Sequence, residues 1–89
     1  MPSRAVEVRN ERGLHARASA KFVTIAAQID AAIEVEKDGN KVCGTSIMGL
    51  MMLGAAKGDT ITISATGIGA EQAVEQLAAL VEAKFHEDV

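Results

Sequence analysis

The sequence predicts an α+β fold: a two-layer, open-faced sandwich in the order βαββαβα, with a four-stranded antiparallel sheet covered on one face by three helices. Three observations carry that prediction. Short segments alternate apolar and polar residues with period two, as strands with one dry and one wet face do. Other segments repeat their apolar residues at helical spacing and lie between or after the strand-like ones. Asp38-Gly39 stands between two strand-like runs, and both residue types accept the positive φ that a tight hairpin requires.

Val6 and Val8 alternate with Glu7 and Arg9 in a first strand, which Asn10-Glu11-Arg12-Gly13 breaks. A helix then starts near His15 or Ala16, with Ala18, Phe22, Ile25 and Ile29 on one face. Ile33 and Val35 alternate with Glu34 and Glu36 in a second strand, and Lys41-Val42-Cys43 returns after the hairpin as a third. Ser46 stands where an N-cap belongs, ahead of the apolar stretch Ile47 to Leu53. Lys57-Gly58-Asp59 turns the chain into a fourth strand, in which Ile61, Ile63 and Ala65 alternate with Thr60, Thr62, Ser64 and Thr66. Gly67-Ile68-Gly69-Ala70 reads as the turn into the last helix and not as a nucleotide site. That helix carries Ala70, Ala73, Val74, Leu77, Ala78, Val81 and Phe85 in one wide stripe, with Glu71, Glu75 and Glu82 on its wet face.

With 89 residues, 48% of them hydrophobic, the chain can build one core, and residues 1–89 are read as a single domain. The net charge is -3 and no run of like charges occurs, which counts against nucleic acid as a partner. Two Phe and no Trp or Tyr leave no stacking platform for single strands. Cys43 is the lone cysteine, so an intrachain disulfide and a multi-cysteine metal site are both excluded. His15 and His86 do not complete a zinc ligand set, and the expectation is no metal and no cofactor. Cys43 itself reads as a small buried thiol in or near a strand. The run Ile47 to Ala56 is interrupted by glycines and is about half of the roughly 20 residues a membrane span needs. With no apolar leader-like stretch near Met1, the expectation is a cytoplasmic protein with no membrane partner.

Two segments could carry chemistry. Gly13-Leu14-His15-Ala16-Arg17 lies where a loop meets a helix N-terminus, whose unpaired N–H groups and partial positive charge suit an anion. The Arg17 guanidinium adds a planar donor fork that matches phosphate oxygens. A neutral imidazole there offers a ring nitrogen that can attack phosphorus, with the N–H groups stabilising the dianion it then carries. The other reading of these residues is a histidine and an arginine on a solvated helix end. In Thr45-Ser46-Ile47-Met48-Gly49-Leu50-Met51-Met52-Leu53-Gly54, the apolar residues cannot all face inward on two helical turns. Exposed Met is unbranched and polarisable, and suits a surface that fits several partners. The alternative is a short, fully buried helix.

Gly13-Leu14-His15-Ala16-Arg17, Ser46-Ile47-Met48-Gly49, and Lys57-Gly58 ahead of a strand, in this order and separation, closely resemble the HPr family, the histidine-containing phosphocarriers of bacterial phosphotransferase systems. The resemblance runs over essentially the whole chain and implies the HPr-like open-faced sandwich. It implies that His15 is the phosphohistidine, receiving phosphate from Enzyme I, which phosphoenolpyruvate charges, and passing it to an Enzyme IIA-type protein. The phosphate is then expected on Nδ1, supported by the helix-end amides and Arg17. The chain is expected to act as a substrate of partner enzymes and not as an enzyme, and as a monomer. Ser46 matches the family's regulatory phosphorylation segment, which implies a serine kinase or phosphorylase as a further partner. Ile47, Met48 and Met51 match its docking surface.

The chain departs from the family at Ala18, where most members have proline; alanine is a good helix former, so the helix start is expected to survive. The ending Lys84-Phe85-His86-Glu87-Asp88 looks more like the nitrogen-related branch than the sugar-transport branch, and sugar uptake and nitrogen-related regulation both stay open. The alternative function is a regulatory protein-binding module of the same fold, switched at Ser46. A small metal or RNA binder is a third class, against which the lone Cys43 and the acidic charge count.

Overall fold

A computed structural model describes residues 1–87. Its elements are β1 (Ser3–Glu7), α1 (Ala16–Ala26), β2 (Ala32–Lys37), β3 (Asn40–Cys43), α2 (Ile47–Met52), β4 (Thr60–Thr66) and α3 (Ala70–Glu82), followed by a 3₁₀ turn at Lys84–His86. The strands form one antiparallel sheet in the order β1-β4-β2-β3. With the helices packed on one face, this is the α+β open-faced sandwich that the patterning predicts.

Register follows from burial. Val6 faces Ile61 across β1–β4, and Val35 faces Ile63 across β2–β4, so the apolar sides of these strands coincide. Slipping any of them by one residue would send this set to water. Asp38 and Gly39 take φ of 52° and 84°, closing the β2–β3 hairpin as expected. Against the covered face, Phe22 of α1, Leu50 of α2, and Leu77 and Val81 of α3 are fully buried. Each large apolar side chain removed from water contributes about 1.5–3 kcal/mol before chain entropy is counted. Arg4, in β1, reaches α3 and pairs with Glu75 at 3.2 Å and Glu82 at 3.6 Å.

Four expectations need correction. β1 ends at Glu7, so fully buried Val8 and exposed Arg9 lie beyond the strand expected to hold them. Cys43 is exposed, not buried. It lies opposite Glu34 in the β2–β3 register, and that residue points to the open face, whereas Val42 opposite Val35 points to the core. Ile29 packs against the core but lies beyond α1, which ends at Ala26. Phe85 is fully buried as its place in the α3 stripe suggests, but α3 ends at Glu82. The chain instead turns through Lys84, Phe85 and His86 with φ of 58°, 55° and 60°, which directs Glu87 to His15. Among the described residues, no helix is long and apolar enough to cross a membrane.

Candidate functional site

The loop from β1 to α1 is built around Asn10, which is fully buried. Its backbone carbonyl accepts from the Gly13 N–H at 3.2 Å, and its side-chain Nδ2 donates to the Gly13 carbonyl at 2.8 Å. Gly13 takes φ of 62°, and a Cβ there would run into the backbone carbonyl of Ala55. The next N–H, of Leu14, donates to that same carbonyl at 3.0 Å. The segment after α2 is thereby seated against the loop that delivers His15.

His15 is the N-cap of α1, in extended conformation, and its carbonyl accepts from the Ser19 N–H at 2.9 Å. Its Nδ1 accepts from the Arg17 backbone N–H at 3.3 Å, so the imidazole occupies the capping role more often filled by Ser, Thr, Asp or Asn. The ring is about one-fifth exposed and stands at the positive end of an 11-residue helix. Ala18 is buried in the first turn of α1, and the helix begins at Ala16 without proline.

The far side of the ring holds a group that motif reading did not single out. His15 Nε2 lies 2.6 Å from Glu87 Oε2, and Glu87 Oε1 accepts from Asn10 Nδ2 at 3.1 Å. Burial pushes the Glu87 carboxyl up, but the hydrogen bonds from His15 and Asn10, with the charges of His15 and Lys21, hold it below its ordinary value. Asn10 reads in the sequence only as part of a strand-breaking run. Glu87 reads only as part of a tail, and no local pattern ties it to a residue 72 positions earlier. The one available signal is Phe85, whose apolar period shows that the tail is anchored.

The structure brings Arg17 to His15 through its backbone; its side chain is exposed and lines a groove of about 340 Å³ with Lys21, Ile25 and His86. Ser46 caps α2, its Oγ accepting from the Gly49 N–H at 3.0 Å. Leu50 and Leu53 turn inward, while Ile47, Met48, Met51 and Met52 are 40%, 69%, 41% and 80% exposed. The fully buried alternative for this segment is thus overturned: six residues of helix have only one side against the core. Among the described residues, no group of three or more His, Cys, Asp or Glu is placed to hold a metal ion.

Residues 2–83 match the family model described as "PTS HPr component phosphorylation site". This chain belongs to the HPr family of phosphotransferase-system phosphocarriers. The phosphocarrier protein HPr of Neisseria meningitidis serogroup A is 42% identical over 87 residues, covering 98% of each chain. The phosphocarrier protein NPr of Shewanella violacea is 40% identical over 84 residues, covering 94% of this chain and 92% of that one. The crystal structure of HPr-C-His from Thermoanaerobacter tengcongensis superposes with a TM-score of 0.95 at 43% identity over the whole of both chains. His15, Arg17, Ser46 and the exposed α2 side chains lie within residues 2–83 that match the family model, and Phe85 and Glu87 follow that stretch.

Proposed function

We propose that this chain is a phosphocarrier that takes a phosphoryl group on His15 from phospho-Enzyme I and gives it to an Enzyme IIA-type protein in the cytoplasm. The observation that supports this most directly is the partly exposed His15 ring, held as the N-cap of α1 with Nδ1 turned to the first-turn amides. When Nδ1 takes phosphorus, the Arg17 N–H loses the lone pair it now faces and can donate to a phosphoryl oxygen instead. The exposed Arg17 guanidinium supplies charge and a planar fork as phosphorus moves between partners. Partner enzymes then bring the rest of the catalytic machinery, and the carrier is their substrate.

Docking falls to α2. Ile47, Met48 and Met51 expose an apolar patch on a helix whose following segment contacts the His15 loop through Ala55, which supports a partner engaging the patch and the acceptor together. Ser46 stands at the edge of that patch and is the proposed position of regulatory phosphorylation.

The test is incubation with Enzyme I and labelled phosphoenolpyruvate. The label is expected on His15 alone, acid-labile and alkali-stable as a phosphoramidate is. His15→Ala should remove it while the variant stays folded. Label that persists in His15→Ala, or that maps to exposed His86, refutes the assignment.

A further inference from the structure

A neutral imidazole has one proton for two nitrogens, and its neighbours decide where the proton sits. The Arg17 N–H donates to Nδ1, which therefore presents a lone pair. A carboxylate only accepts, so Glu87 at 2.6 Å calls for the proton on Nε2. Two independent contacts, one from α1 and one from the far end of the chain, select the same tautomer.

The carboxylate is held from several sides. Its side chain is only 12% exposed. Its second oxygen takes one Nδ2 hydrogen of buried Asn10, whose other goes to the carbonyl of Gly13 in the loop that delivers His15. Two residues earlier Phe85 is fully buried, and Lys21 Nζ donates to its carbonyl at 2.7 Å. These tail residues follow the stretch 2–83 that matches the family model.

We propose that Glu87 is a positioning residue for the carrier reaction assigned to His15, on which this inference rests: it holds the proton on Nε2, leaves Nδ1 as the attacking nitrogen, and balances the charge that transfer places on the ring. In the forward step the Nδ1 lone pair forms the N–P bond. The bond from phosphorus to its donor atom on phospho-Enzyme I breaks, and its electron pair leaves with the donor. The Nε2 proton stays in place, so the ring becomes an imidazolium facing the Glu87 carboxylate. In the return step the acceptor's nucleophile takes phosphorus, the N–P pair returns to Nδ1, and the ring is neutral again. A ring kept protonated is the better leaving group, so the same contact keeps the phosphoryl group transferable. Asn10 does for Glu87 what Glu87 does for His15, fixing its direction.

The experiment compares the parent with Glu87→Gln and Glu87→Ala by ring ¹⁵N spectroscopy of His15 and by phosphoryl transfer from phospho-Enzyme I. The parent is expected to show a pyridine-type Nδ1 and a pyrrole-type Nε2. In both variants the distinction should shrink as tautomers mix. The kcat of transfer should fall about tenfold with KM nearly unchanged, as expected for losing one charge-assisted contact to the reacting ring. A proton on Nδ1 in the parent, or variants matching the parent in both spectrum and kcat, overturns the positioning role. A parent that accepts no label at all overturns the carrier reading instead, and the spectrum still decides whether Glu87 sets the tautomer.

Discussion

Lys21 donates from Nζ to the backbone carbonyl of Phe85 at 2.7 Å, tying the middle of α1 to the residues that follow α3. The bond closes a turn in which Lys84, Phe85 and His86 all have left-handed backbone. Such a conformation costs about 1–2 kcal/mol for each residue carrying a Cβ, and burial of the whole Phe85 ring offsets much of it. Phe85→Ala is expected to lower the unfolding free energy by about 3–5 kcal/mol. Lys21→Met keeps the apolar stem and removes only the donor, for about 1–2 kcal/mol. Urea unfolding of both variants measures these two parts of the anchor, and a Lys21→Met variant as stable as the parent would show that the Lys21 bond adds nothing to it.

Arg17 offers its backbone to His15 and its side chain to the surface. Arg17→Ala is expected to slow phosphoryl transfer in both directions while partner affinity changes less. Arg17→Lys should recover only part of the rate, since an ammonium is a point charge without the planar fork. Rapid-quench transfer kinetics with Enzyme I, alongside binding measurements, separate the two effects. A Lys variant equal to the parent would reduce the side chain to general electrostatics.

Ser46 caps α2 through an accepting Oγ, and a carboxylate can accept the same Gly49 N–H. A negative charge at that end of the helix contributes about 0.3–1 kcal/mol through the macrodipole. Ser46→Asp should therefore unfold within a few degrees of the parent. Its cost should appear at the partner, because a charge beside Ile47 and Met48 must shed water when the patch is covered. The expected signature is a higher apparent KM for transfer from Enzyme I with kcat less affected. A large drop in Tm with a proportional loss of transfer would make Ser46 structural and the interface argument wrong.

Glu87 has an ordinary pKa of 4.5 and a lowered one in the fold, with His15 and Lys21 as the charged groups facing it and Asn10 as its neutral donor. A carboxyl that binds its proton less readily when folded adds stability above its ordinary value and loses it as pH falls through the lowered one. The parent's advantage over Glu87→Gln should therefore be present above about pH 4.5 and disappear on further acidification. Urea midpoints across that range provide the check. An advantage that grows on acidification would contradict the contact.

Much of this molecule is local in origin, and that part could be read directly. The alternation in Thr60–Thr66, the stripe along α3, the hairpin at Asp38-Gly39 and the cap at Ser46 each depend on residues within a few positions of one another. The same holds for His15 and Arg17, because a helix start and its side-chain cap are settled within one turn. The exposure of Cys43 is different in kind. Alternation places it on one side of β3, but only pairing with Glu34 decides that this side is wet.

The end of the chain shows where local reading stops. Amino-acid order determines that Phe85 is apolar, lies in phase with Val81 and belongs in the core. Its backbone path is decided by tertiary structure, which stops α3 at Glu82 and offers the Lys21 ammonium to the turn. Glu87 is likewise one more exposed-looking carboxylate until the turn carries it to His15 and Asn10. No periodicity encodes that meeting, because its partners lie more than 70 residues apart and are joined by the packing of α1 against α3. Local propensity is additive along the chain, whereas a contact of this kind exists only once the whole core has closed and the loss of chain entropy has already been met.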